Sequence, residues 1–166
     1  MRDVLFFIKI IIIAILGIAA QLILHEAGHM LVAVLTGNTI NTASFAITSF
    51  TSIKINNAWS ISYISLGAFV LPLFICAVFS AVKNKYVVLF TSIVLTATAI
   101  QLVMNAWAVL FVNGKELSKY DLGLYMANTG HNPIAISCIA IIVTFLLIAW
   151  LGLKVRKFIN MYVEET

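Results

Sequence analysis

Leu22-Ile23-Leu24-His25-Glu26-Ala27-Gly28-His29-Met30-Leu31-Val32-Ala33-Val34-Leu35 sets two histidines and a glutamate inside an otherwise apolar run. That run belongs to a longer one, Val4 to Gly37, interrupted by Lys9, Gln21 and the histidine cluster. A straight helix of this length would extend roughly 50 Å, against about 30 Å of bilayer hydrocarbon. It must therefore tilt, kink or project, with Gly17 or Lys9 marking where. A charged residue at the bilayer centre costs roughly 2.5–3.5 kcal/mol on insertion scales, so an ionisable cluster in such a helix marks a functional site. Positions four apart share a helix face, so His25 and His29 can both turn an imidazole to one metal ion. Glu26 then stands beside the ion, placed to take a proton from water activated there.

The rest of the chain supports a membrane setting. Of 166 residues, 63% are hydrophobic and 10% charged, whereas soluble domains are about 25% charged. The length suits one integral-membrane domain over residues 1–166. The net charge of +4 comes from Lys and Arg scattered among short loops and ends. With no basic stripe, it points to orientation in a lipid bilayer and not to nucleic acid. Cys76 and Cys138 lie in apolar runs without metal-ligand spacing and read as buried hydrophobes. Arg2 followed by an apolar run and Gly17-Ile18-Ala19-Ala20 imitates a cleavable signal peptide, but hydrophobicity resumes at Leu22 with no polar start.

The expected architecture is an all-α polytopic membrane protein with about four transmembrane helices, spanning approximately 4–36, 60–82, 86–112 and 133–153. Trp59, Tyr63 and Trp150 at span ends, with Lys83, Lys85, Lys154, Arg156 and Lys157 beyond them, are interface anchors. Pro72 predicts a kink in the second span. Residues 37–59 alternate Asn, Thr and Ser with Ile40, Phe45, Ile47, Ile53 and Ile55, which predicts a short β-hairpin after the first helix. Ala14, Gly17, Gln21, His25 and Gly28 form a small and polar helix face that should turn into the bundle.

His-Glu-x-x-His on a helix is a zinc-ligand pattern of metalloproteases. A catalytic zinc takes three protein ligands and keeps one open position. Two come from the motif, and the candidates for the third are Glu116, Asp121 and His131, all between spans three and four. Thr98, Gln101 and Asn105 share one face of span three. Asn105 suits donation to a substrate carbonyl or its developing oxyanion, and interhelical hydrogen bonding accounts for the same residues.

Taken together, HEAGH in an early transmembrane helix, a β-prone segment after it, and two spans before an aspartate resemble the site-2 protease family of intramembrane zinc metalloproteases. Within it, Asp121-Leu122-Gly123-Leu124-Tyr125-Met126-Ala127 followed by Thr129-Gly130 is similar to a compact branch. The resemblance implies His25, His29 and Asp121 as ligands of one Zn2+ ion and Glu26 as catalytic base. Many members carry Asn-x-x-Pro and Leu-Asp-Gly; here no proline follows Asn105 in that pattern, and the aspartate reads Tyr120-Asp121-Leu122-Gly123. The implied activity is hydrolysis of peptide bonds in a membrane protein or membrane-bound peptide. The competing expectation is a membrane protein that binds metal or a partner without hydrolysis; an acid between the histidines argues against a plain metal carrier. On orientation two expectations conflict. The basic bias puts both termini in the cytoplasm, whereas the resemblance implies a catalytic mouth facing that side.

Overall fold

The computed structural model describes residues 2–43, 52–112 and 114–163. Helix α1 (Arg2–Leu35) leads into strands β1 (Thr39–Thr42) and β2 (Ser52–Lys54). Helix α2 (Ser60–Val78) follows, extended by one 3₁₀ turn at Phe79–Ala81, then α3 (Lys85–Phe111). A second 3₁₀ segment (Gly114–Lys119) precedes the short α4 (Asp121–Thr129), and α5 (Pro133–Val163) completes the order. Four of the helices, α1, α2, α3 and α5, are long and apolar enough to cross a membrane. The expected all-α class, with four spans and a small hairpin after the first, is what the structure shows.

Two boundaries differ from the sequence expectation. Residues 121–129, expected only as part of a polar segment, form a helix of their own. The fourth helix runs on past Lys154 to Val163, beyond the expected end at 153. Its extension is held by the basic residues that suggested an end: the Lys154 ammonium donates to Thr91 Oγ1 at 2.9 Å and Lys157 donates to the Ser80 carbonyl at 3.3 Å.

The outside of the bundle is apolar, and its interior combines a hydrophobic core, with Phe69, Val94, Leu95 and Leu102 at its centre, with buried polar residues. Ser65, Thr91, Thr98, Ser137 and Gln21 are buried, while Phe7, Ile11, Ile15, Phe145 and Leu146 are exposed. In water this distribution would be costly; in hydrocarbon it is favourable, because lipid accepts the apolar side chains and the interior satisfies the hydroxyls. Most of these hydroxyls donate to carbonyls four residues back on their own helix, as Ser65 does to Ile61 and Thr98 to Val94, each at 2.9 Å. Gln21 and Gln101 bond across helices, Gln21 Nε2 donating to Gln101 Oε1 at 2.6 Å.

Helices α1 and α2 meet backbone to backbone. A Cβ on Gly28 would strike the carbonyl of Gly67, and one on Gly67 would strike the carbonyl of Gly28. Small residues at such a crossing are what lets two transmembrane backbones approach closely. The hairpin base is clamped to the same end. Asn38 donates to Ser60 Oγ at 2.7 Å and accepts from the backbone N–H groups of Asn56 and Asn57 at 2.8 and 3.3 Å. Asn57 in turn donates to the Thr36 carbonyl at 3.1 Å. The strands pair antiparallel with Ile40 opposite Ile53 and an irregularity between Ile40 and Thr42. Phe45 and Ile47 lie outside the described residues.

Candidate metal centre

His25 and His29 project from α1 on either side of Gly28 and its crossing with Gly67. Asp121, the first residue of α4, comes to meet them. His25 Nε2 lies 3.5 Å from Asp121 Oδ2, and His29 Nε2 lies 3.2 Å from Asp121 Oδ1. One ligand atom from each of the three residues falls within 4.8 Å of the others, and this is the group of metal-capable side chains found among the described residues.

Both the chemistry and the spacing of this set fit zinc. His29 Nδ1 sits 2.8 Å from the Ile64 carbonyl. A carbonyl oxygen can only accept, so Nδ1 carries a proton, and Nε2 of the neutral ring turns its lone pair toward Asp121. That pairing suits a cation between them, whether a proton on Nε2 or a metal ion. Zinc bonds of about 2.0–2.2 Å in tetrahedral geometry put ligand atoms about 3.3–3.6 Å apart; the two imidazole nitrogens stand 3.5 and 3.2 Å from different oxygens of Asp121, and the set with one atom per residue lies within 4.8 Å. His25 differs from His29 in its support. Its Nδ1 is the buried side-chain polar atom that lacks a hydrogen-bond partner among the described residues. Its ring is fixed by packing instead, edge-on to His29 at 4.9 Å and to Phe69 at 6.2 Å between centroids.

The three candidate ligands open into a cleft of about 660 Å³. Glu26, only 9% exposed, is on its wall, with Gln101, Asn105 and Tyr120 as further polar groups. Ile53 and Ile55 from the hairpin and Leu124 from α4 form apolar sides. The residues expected to act together are thus brought to one cavity.

Asn105 also makes the interhelical hydrogen bond that the sequence allowed for, and its partner is a backbone group of α4. Its Oδ1 accepts the backbone N–H of Leu122 at 3.0 Å, and its Nδ2 donates to the Gln101 carbonyl at 3.0 Å. Leu122 is the second residue of α4, where a helix N–H has no partner within its own helix. The α4 cap residue, Tyr120, supplies no side-chain bond, so Asn105 caps the helix from α3 and fixes the turn that carries Asp121. An amide nitrogen has two hydrogens, which keeps donation to a substrate chemically compatible with the cap.

The other two ligand candidates are engaged elsewhere. Glu116 pairs with Lys119 at 2.6 Å on the exposed 3₁₀ segment. His131 Nδ1 lies 3.2 Å from the Tyr125 hydroxyl, between α4 and α5. The Ile64 carbonyl that orients His29 and the Leu122 N–H that holds Asn105 are backbone groups, which residue identity does not signal.

Comparison with protein families, curated proteins and solved structures returned no match to this chain.

Proposed function

We propose that this protein is an intramembrane zinc metalloprotease that hydrolyses peptide bonds in or beside the transmembrane segments of a membrane protein or membrane-bound peptide. The observation that carries this reading is the meeting of three ligand atoms from α1 and α4 in a cleft that also holds Glu26. A Zn2+ ion held by His25, His29 and Asp121 would supply a Lewis acid that polarises a carbonyl and brings the pKa of water to about 7.

The chain's own residues supply the rest. Glu26 follows the ligand His25 directly, accepts the proton of the attacking water, and returns it to the leaving amine. The Ile64 carbonyl holds the His29 ring so that Nε2 stays aimed at the centre. Asn105 keeps Asp121 in position through the Leu122 N–H and donates its remaining amide hydrogen to the substrate carbonyl. A helical substrate has its carbonyls bonded internally and must unwind before attack. Strand β2, whose Ile53 lines the cleft, offers backbone groups to hold the unwound segment extended.

The site is integral to the cell membrane in this reading. Helices α1 and α5 bring both termini to the end of the bundle that carries Lys9, Lys83, Lys85, Lys154, Arg156 and Lys157. The positive-inside rule makes that end cytoplasmic and turns the hairpin and cleft to the opposite side.

The deciding experiment compares membrane-protein fragments in cells carrying native or Glu26→Gln protein, with zinc measured on the purified forms. The variant should keep its zinc and lose the cleavage products. Equal fragments from both, with zinc bound in both, would leave a metal-binding membrane protein without hydrolysis.

A further inference from the structure

The two histidines of the centre are supported unequally. His29 Nδ1 is held by the Ile64 carbonyl at 2.8 Å, whereas His25 Nδ1 is buried without a hydrogen-bond partner among the described residues. Packing against His29 and Phe69 sets where the His25 ring lies, but edge contacts do not decide which of its nitrogens carries the proton. His25 Nε2 faces Asp121 at 3.5 Å, so a proton there would occupy the position a metal needs. Presenting a lone pair instead requires the proton on Nδ1, and a buried N–H without an acceptor costs about 1–3 kcal/mol. Metal-binding histidines almost always give that proton to a carboxylate, a carbonyl or water.

One side-chain amide is placed to take it. Gln101 of α3 lines the cleft together with His25, and its side chain stands against the His25 ring. Gln101 Oε1 accepts from Gln21 Nε2 at 2.6 Å and, as a carbonyl oxygen, has a second lone pair. Gln21 is only 3% exposed and sits one helical turn before His25 on the same face of α1. We infer that Gln101 is a positioning residue of the zinc centre proposed above: its Oε1 accepts the His25 Nδ1 proton, and Gln21 holds the amide so that Oε1 stays in place. Turned over alone, Gln101 would set its NH2 group against the NH2 of Gln21 and offer His25 a donor where it needs an acceptor. The glutamine pair therefore selects the His25 tautomer that can bind metal. The backbone of the same residue serves a second ligand. Its carbonyl accepts from Asn105 Nδ2 at 3.0 Å, and Asn105 holds the turn that carries Asp121.

The test uses the full chain purified in detergent and reads two quantities. One is zinc affinity; the other is the set of histidine ring-nitrogen NMR shifts of the metal-free protein, which report the His25 tautomer and are assigned by single substitution of each histidine. The native protein should carry the His25 proton on Nδ1. Gln101→Met, of similar volume, removes the acceptor; it should weaken zinc binding about 10–100-fold, the usual loss when a ligand's supporting partner goes, and move the proton toward Nε2. Gln101→Glu keeps an acceptor for both Gln21 and His25 and should restore both readings. Gln21→Leu frees the amide to turn and should give a smaller loss of the same kind. Ser137→Ala breaks a buried bond between α5 and the Ala106 carbonyl of α3, away from the cleft, and should change neither reading. Native zinc affinity and tautomer in Gln101→Met, or failure of folded Gln101→Glu to restore them, would overturn the role. The zinc reading beneath it fails separately: a native protein that binds no zinc removes the metal centre, while the His25 signal of the metal-free forms still decides whether Gln101 holds the Nδ1 proton.

Discussion

Two cavities of nearly equal volume flank α4. The cleft of about 660 Å³ on one side holds His25, Glu26, His29, Asn105 and Asp121. The groove of about 640 Å³ on the other, between α2 and α5, is walled by Leu66, Phe69, Leu73, Leu102 and Ile136, with His131 and Asn132 at its rim. The difference is written into α4 itself. Asp121 and Leu124, three apart, face the cleft, and Leu122 and Tyr125, also three apart, face the groove. Cavity size therefore says little about chemistry here; what matters is which face of one short helix a cavity touches.

Substitutions on the two faces should separate accordingly. The largest effect is expected on the cleft face. Asp121→Ala removes a proposed ligand, and its zinc affinity should fall by more than the 10–100-fold usual for loss of a supporting partner, with activity falling alongside. Metal analysis of the purified protein checks this, and full zinc occupancy in that variant would remove Asp121 from the centre. A smaller effect is expected behind the helix. Asn105→Leu strands the buried Leu122 N–H, a cost of about 1–3 kcal/mol, and should loosen zinc binding. Asn105→Asp keeps an acceptor for that N–H and should retain zinc while losing the amide donor, so zinc titration beside turnover divides the two parts of Asn105. If both variants kept native zinc affinity, the capping argument would fail.

At the cleft mouth, Ile53→Pro deletes a strand donor. One net hydrogen bond is worth about 0.5–1.5 kcal/mol, so cleavage should drop by roughly 2- to 10-fold with zinc unchanged; undiminished cleavage would reduce β2 to a spacer. The smallest effect belongs to the groove rim. His131→Ala should alter stability by no more than about 0.5 kcal/mol and leave zinc in place. Loss of zinc from this variant, with Asp121→Ala unaffected, would transfer the third ligand from one side of α4 to the other.

The four spans were legible because hydrocarbon imposes a long apolar run on any helix that crosses it, and Val4–Gly37 or the stretch after Pro133 leaves little else to read. HEAGH was legible for the same reason that it is costly: ionisable groups stand out against such a background. Helix α4 was not, because nine residues with a glycine among them carry a weak periodic signal, and the acceptor that caps its Leu122 N–H comes from α3. The end of α5 was misplaced because Lys154 was read as a lipid-interface residue, whereas its ammonium is turned inward to a threonine and the residue is only 5% exposed. Pairing of Gly28 with Gly67 is a relation between two distant positions that one sequence does not state.

That glycine contact lies between His25 and His29 in level, and α1 is tied again one turn before His25 by the Gln21–Gln101 bond and beyond His29 by the Asn57–Thr36 bond. A rod fastened on both sides of a short stretch can neither slide nor turn there. The two imidazoles therefore stand on the most firmly fixed part of α1.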